Sequence, residues 1–328
     1  IEKGEKIISE FASVVHSNNI KAAIKLQFRD GENFVHKDFR HRNDILYIKK
    51  VMSSKMSIDD YGTLTDSIKK AGLIAMSTPF DEKSVDICQM LNIQIIKIAS
   101  VNINDKILIE KISKTKRPVI VSTGAAALKD IDSIVEYFEN KQIPLAINHC
   151  VSKYPCEKNE LELNGIDFLK KRYPGHVIGF STHEYNDDIE IPMYIAYAKG
   201  ARTFERHIDL IYPNFKAPYE YCSLPQDIDR WIKAYKKAKE ICGNDQCNIR
   251  NYDLKETDYI KSMRRGVYAK QNLKAGDILT PENVYFAIPL QKEQLACNGF
   301  YHGQTINADI TKDDCIMEYN LTDTLVKH

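Results

Sequence analysis

The feature that most constrains this chain is a repeat. From about residue 20 to residue 210, short runs rich in β-branched and aliphatic residues recur every 20 to 30 residues after one longer first gap, and longer amphipathic stretches separate them. The runs are AAIKLQF (22–28), LIAMSTPF (73–80), IQIIKIAS (93–100), PVIVSTG (118–124), LAINHCV (145–151), HVIGFSTH (176–183) and ARTFERHI (201–208). Such strand–helix units build a parallel sheet. Ser57 predicts a capped helix over IDDYGTLTDSIKKAG, closed by Gly72, and DEKSVDICQML, NDKILIEKISK and LKDIDSIVEYFEN predict the helices after the next three strands.

Two observations favour a closed (β/α)8 TIM barrel over an open doubly wound sheet. Each run ends in polar residues able to do chemistry: Lys25 and Gln27, Thr78, Lys97 and Ser100, Ser122, His149, Ser181 and His183, Glu205 and His207. A barrel brings all those ends to one face. No Gly-x-Gly-x-x-Gly follows an early strand, as a dinucleotide-binding sheet would require. Seven strands are visible and the sequence opens inside a helical pattern, so the expectation is that a first strand stands outside it. The barrel is expected over 1–242 and a polar connector over 243–258. Over 259–328 the pattern changes to short strands, a Lys-Ala-Gly-Asp turn and a Thr-Pro-Glu-Asn turn, which predicts a small β-rich domain.

Composition removes several function classes. Forty-six Lys and Arg against 45 Asp and Glu leave a net charge of +1, so no bulk field draws the chain to nucleic acid or to an anionic membrane. No apolar run approaches a membrane span and no secretory signal opens the sequence; a cytoplasmic protein is expected. The eight cysteines form no CxxC pair, which predicts reduced thiols and no structural zinc.

STPFDEKSVD (77–86), KIAS (97–100), VSTG (121–124), HCVSKYP (149–155), GFSTHE (179–184) and FERHID (204–209) stand in the order found in the sialic acid synthases, and residues 262–310 resemble their C-terminal antifreeze-like (SAF) domain. The resemblance spans nearly the whole chain. It implies a barrel that condenses phosphoenolpyruvate with an aldose to give a 3-deoxy-2-ulosonic acid and phosphate, using manganese or magnesium. It also implies a domain-swapped homodimer in which one subunit's antifreeze-like domain covers the other's barrel.

Residue by residue, the resemblance gives Lys25 and Lys97 to phosphoenolpyruvate. An ammonium in an apolar strand is costly unless paired, so a structural ion pair with a carboxylate is the plainer alternative. Thr78, Ser100, Ser122 and Ser181 supply hydroxyls for a phosphate cradle, although a strand-end serine alone is usually a helix cap. His183 and His207 match the metal positions. Glu205, on the same strand face as His207, would pair with Lys97 or orient a ligand. Gln27, His149 and Tyr154 complete the rim, with Tyr154 as the substrate contact.

The departures lie on the acceptor side. Asn102 stands where the family has a glutamate, and cannot take a proton; Ser152 replaces an asparagine. APYEYCSL (217–224) lacks the family's aspartate, and Ala287-Ile288-Pro289 lacks its arginine. FRDGENFVHKDFRHRND (28–44) is either an acceptor loop or a solvated charge run. An acceptor other than N-acetylmannosamine is expected. The alternatives are a 3-deoxy-ulosonate phosphate synthase, which would lack the antifreeze-like domain, and a catalytically inactive binding or scaffold subunit.

Overall fold

The computed structural model describes residues 1–243 and 252–322. Part of the expected connector, with Cys247, lies outside the described residues. The chain divides into two units, Ile1–Asn244 and Asp245–His328.

The first unit opens with α1 (Glu2–Ser17) and β1 (Ala23–Phe28). In the long gap that follows stands α2 (Leu46–Ser53), and from there strand and helix alternate. The order is α3 (Ile58–Lys70), β2 (Ile74–Pro79), α4 (Glu82–Met90), β3 (Ile95–Ile98), α5 (Lys106–Lys114), β4 (Val119–Ser122), α6 (Leu128–Asn140), β5 (Leu145–Cys150), α7 (Asn164–Arg172), β6 (Val177–Thr182), α8 (Glu190–Ala198), β7 (Thr203–Arg206) and α9 (Pro225–Cys242). Side-chain caps set several helix starts. Ser57 Oγ accepts from the Asp60 N–H at 3.1 Å while the Asp60 carboxylate accepts from the Ser57 N–H at 2.9 Å, a complete capping box for α3. Asp81 and Asp105 do the same work for α4 and α5 through the Ser84 and Leu108 N–H groups.

All seven strands pair in parallel with their sequence neighbours, β1 through β7, so the strand order never reverses as it does in a doubly wound sheet. The sheet is also rolled. Laid flat, β1 and β7 would stand six spacings of about 4.8 Å, or roughly 29 Å, apart, yet Lys25 Nζ of β1 lies 3.4 Å from Glu205 Oε1 of β7. Outside the sheet, α1 and α9 meet: Asn18 Nδ2 donates to Asp229 Oδ1 at 2.7 Å, and Lys236 Nζ donates to the Asn18 carbonyl. Ile8, Phe11, Val15, Ile228 and Trp231 belong to the core that this closure buries.

Strand register stacks the inward-facing residues in layers. Asn148, Gly179 and Thr203 are level, and two residues on are Cys150, Ser181 and Glu205. A further step past the strand ends reaches Ser152, His183 and His207. Gly179 is required where it stands, because Thr203 Oγ1 donates to Asn148 Oδ1 at 2.8 Å directly across it. A Cβ at Gly179 would lie 2.0 Å from Thr203 Oγ1, 2.2 Å from Asn148 Oδ1 and 2.7 Å from the Thr203 carbonyl. Gly179→Ala is therefore expected to destabilise the rolled sheet by about 3 kcal/mol, at the upper end of overpacking costs. Denaturant unfolding checks this; a variant as stable as the parent would mean that the layer yields without cost.

In the second unit the last part of the expected connector is helical: α10 (Leu254–Ser262) starts at an Asp253 cap whose carboxylate accepts from the Glu256 N–H. Beyond it, β8 (Gly266–Ala269) and β9 (Val284–Ala287) pair antiparallel around a small core of Val267, Leu273, Leu279, Val284, Leu295, Ile306 and Ile316. Lys274–Asp277 forms the expected turn, with Gly276 at φ 95° and the Asp277 N–H donating to the Lys274 carbonyl. The seven described cysteines are all free thiols. Among the described residues no helix is long and apolar enough to cross a membrane.

Candidate active site

At the centre of the rolled sheet lies a buried cluster of three charges. Lys97 Nζ donates to Glu205 Oε2 at 2.6 Å, and Lys25 Nζ lies 3.4 Å from the other oxygen and 3.3 Å from Thr78 Oγ1. Lys97 is only 3% exposed. Burial works against the Glu205 charge, but the two ammoniums overcome it and hold the carboxyl far below the usual carboxylate range. Burial pushes the Lys25 ammonium down; Glu205 opposes that, while Lys97 and Arg29 add to it. Two cations against one carboxylate leave a surplus positive charge in a desolvated place. The structural ion pair considered for each lysine is real, and it is incomplete, since one carboxylate serves both.

Hydroxyls surround this cluster. Ser100 Oγ accepts from the Gly124 N–H at 3.0 Å, and a Cβ at Gly124 would lie 2.1 Å from Ser152 Oγ, so Ser100, Gly124 and Ser152 pack at van der Waals limits. Ser122 Oγ is buried without a partner. Ser181 is 2% exposed and level with Glu205. Asn102 turns toward the start of α5: its Nδ2 lies 3.5 Å from Asp105 Oδ2, and its buried Oδ1 has no partner.

Above the charges, the His183 and His207 rings stand 5.3 Å apart between centroids. His183 Nδ1 is 2.9 Å from the Val151 carbonyl. Only Nδ1–H can serve an acceptor, which leaves Nε2 with its lone pair free. Burial lowers the His183 pKa to about 4 and that of His207 to about 3, the latter helped by Lys25, so both imidazoles are neutral at pH 7. Two neutral, adjacent imidazoles fit a divalent cation as nitrogen donors. Among the described residues no group of three or more His, Cys, Asp or Glu is placed to hold a metal. Tyr154 covers His183 with ring centroids 4.0 Å apart and is half exposed.

One expected site residue faces elsewhere. His149 Nε2 lies 2.8 Å from the Leu161 carbonyl, and its ring fills the space beside Gly165 of α7. Asn148 and Cys150 face inward, so alternation turns His149 outward to the helix layer; it does not line the rim with Tyr154. Gln27 does face inward, its Oε1 accepting from Arg29 Nη2 at 2.8 Å.

Two basic residues were not singled out from the sequence, although Arg29 lies within the 28–44 run read as an acceptor loop or a solvated charge run. Arg29 continues the inward parity of Lys25 and Gln27, stacks 4.1 Å over the Phe80 ring, and has a buried Nε without a partner. Lys50, on α2, donates to the Tyr221 hydroxyl at 3.0 Å and lies over the Tyr219 ring. Tyr221 in turn meets His207 and Tyr154 edge to face. Arg29 was legible from parity; Lys50 sits in the long gap, where no periodicity signalled a helix.

The model of the NeuB family matches residues 17–247. N,N'-diacetyllegionaminic acid synthase of Campylobacter jejuni is 28% identical over 74% of this chain and 71% of its own length. A crystal structure assigned provisionally as spore coat polysaccharide biosynthesis protein E of Chromobacterium violaceum superposes with a TM-score of 0.91 at 33% identity, covering 98% of this chain and 95% of that one. The N-acetylneuraminic acid synthetase of Leptospira borgpetersenii serovar Hardjo-bovis, solved with citrate, gives 0.68 at 25% identity over 79% of this chain and 85% of its own. With the family model covering most of the first unit and strand-end residues of the expected types gathered at one face, this chain belongs to the NeuB family of sialic acid synthase-like enzymes.

Proposed function

We propose that the first unit is the body of a (β/α)8 barrel that condenses phosphoenolpyruvate with an aldose, giving a 3-deoxy-2-ulosonic acid and phosphate. The observation that carries this is the buried Lys25–Glu205–Lys97 cluster beneath two neutral imidazoles. Phosphoenolpyruvate carries about three negative charges near neutral pH, and the cluster offers it a desolvated surplus cation together with the Thr78, Ser100, Ser122 and Ser181 hydroxyls. The family relation and the antifreeze-like pattern of the second unit support the same reading.

Lys25 and Lys97 hold the donor's carboxylate and phosphate, and the serines fix its tilt. His183 Nε2 and His207 would hold manganese or magnesium, which when bound supplies Lewis acidity toward an aldehyde oxygen. C3 of the enol phosphate then forms a carbon–carbon bond to the aldehyde carbon, whose oxygen becomes the new hydroxyl on taking up a proton. Water adds at C2, and the tetrahedral centre expels phosphate with cleavage of the C2–O bond. The chain's contribution is to position the two substrates and to stabilise charge. At Asn102 no proton transfer is available, so that role of the family's glutamate is absent here.

The donor half of the site matches the family and the acceptor half does not. Asn102, Ser152 and the Tyr219–Tyr221 wall replace groups that would hydrogen-bond an N-acetyl sugar, and a site without those partners loses its grip on that sugar. N-acetylmannosamine is expected to be turned over with a kcat/KM at least about tenfold below that of the best aldose in a panel, read as phosphate released with phosphoenolpyruvate and manganese present. Efficient conversion of N-acetylmannosamine would overturn the acceptor assignment. Binding of phosphoenolpyruvate without phosphate release from any aldose would instead favour the inactive, binding-subunit reading.

A further inference from the structure

Next to each candidate metal ligand stands one half of a fully buried ion pair. Glu184 follows His183, Arg206 precedes His207, and their side chains are 0% exposed, with Arg206 Nη1 2.7 Å from Glu184 Oε1. Alternation puts this pair on the opposite side of the strands from the imidazoles, so it is close in sequence to the ligands and separate from the substrate pocket. Arg206 makes further contacts through Nη2 and Nε, while Nη1 has Glu184 as an ion-pair neighbour without a hydrogen bond. Nη2 donates to the Glu184 carbonyl at 2.6 Å, the Tyr185 carbonyl at 3.3 Å and Asn186 Oδ1 at 3.2 Å, and Nε donates to Ser223 Oγ. Glu184 Oε2 accepts in addition from the Thr182 hydroxyl.

These bonds tie together three segments that carry the site. The first holds His183 and Glu184. The second is the end of β7 with His207, whose carbonyl accepts from the Ser223 N–H at 2.8 Å. The third is the stretch before α9 with Tyr221, held by Asn186 Nδ2 donating to the Glu220 and Cys222 carbonyls at 3.2 and 3.0 Å. Strand pairing ends near here, so the ladder alone does not fix where the two imidazoles project. A planar guanidinium with donors on several sides suits such a junction, and an ammonium does not.

We infer that Glu184 and Arg206 are positioning residues which set the spacing of His183 and His207, and through it the affinity for the divalent cation. This rests on the two histidines being the cation's ligands. Groups behind metal ligands typically govern affinity by about 10- to 100-fold. Breaking one half of a buried pair can unfold a protein, whereas replacing both halves with apolar side chains of similar size is often neutral. The test therefore uses the double variant Glu184→Leu/Arg206→Met beside Arg206→Lys, with manganese binding measured by calorimetry without substrates and the folded fraction by circular dichroism.

The parent protein is expected to bind manganese, and His183→Ala/His207→Ala is expected to abolish binding. The double variant and Arg206→Lys are expected to fold and to bind manganese at least about tenfold more weakly. A folded double variant with unchanged manganese affinity overturns the positioning role while leaving the ligand assignment intact. Binding by the parent no tighter than by the histidine double variant overturns the ligand assignment and the positioning role with it. If the apolar double variant does not fold, Arg206→Lys decides alone: unchanged affinity in that variant refutes the inference.

Discussion

Alanine in place of either His183 or His207 is expected to lower metal-dependent phosphate release by about 10²- to 10³-fold. A Lewis acid at a carbonyl oxygen is worth several kcal/mol of transition-state stabilisation, and each tenfold in rate is about 1.36 kcal/mol. With two protein nitrogens available and no third His, Cys, Asp or Glu placed to help among the described residues, losing one leaves a single weak donor. Removing both is expected to cost little more than removing one, because groups that act as a unit are not additive. His183 is buried and bonded to Val151, so unfolding temperature must be followed beside activity. Turnover within threefold of the parent in either variant, or parent turnover that survives dialysis against a chelator, would refute the assignment.

The sequence carried the parts of this fold that depend on local pattern. The α6 helix spans Leu128–Asn140, the same residues as the amphipathic stretch, and each of the seven strands lies within its predicted run. Register made most of the site legible too, because inward parity selects Lys25, Gln27, Ser181, His183, Glu205 and His207 together. The same parity, applied to Asn148 and Cys150, would have turned His149 outward. What local pattern does not hold is closure. Nothing near Lys25 in the sequence announces Glu205 as its partner; only rolling the sheet brings side chains of the first and last strands within 3.4 Å of each other. The charge run over 28–44 divides for a similar reason. Asp30 is tied to Glu32, Asn33 and Lys83, and Arg42 pairs with Asp44 at the surface, while Arg29 alone of these is placed beside Gln27. A count of charges does not separate those fates; strand parity does.

Lys97→Met is expected to weaken phosphoenolpyruvate binding by at least tenfold, roughly 1.4 kcal/mol. Methionine keeps most of the length of the side chain and removes its charge, so the cluster falls from one surplus cation to none. At about 4 Å with an effective dielectric near 20, one charge contributes about 4 kcal/mol of attraction, and exchange with solvent leaves tenfold as a floor. The partner pays as well, because Glu205 keeps only Lys25 at 3.4 Å. A buried pair broken on one side costs about 3–5 kcal/mol, and the remaining lysine should hold the loss at or below the lower end. Lys25→Met is the matched comparison. Lys25 is 16% exposed against 3% for Lys97, and it makes the longer contact to Glu205. If the surplus cation binds the donor, both variants lose affinity. If Lys97 serves only to neutralise Glu205, its variant loses stability while calorimetry finds donor affinity unchanged, and the donor assignment fails.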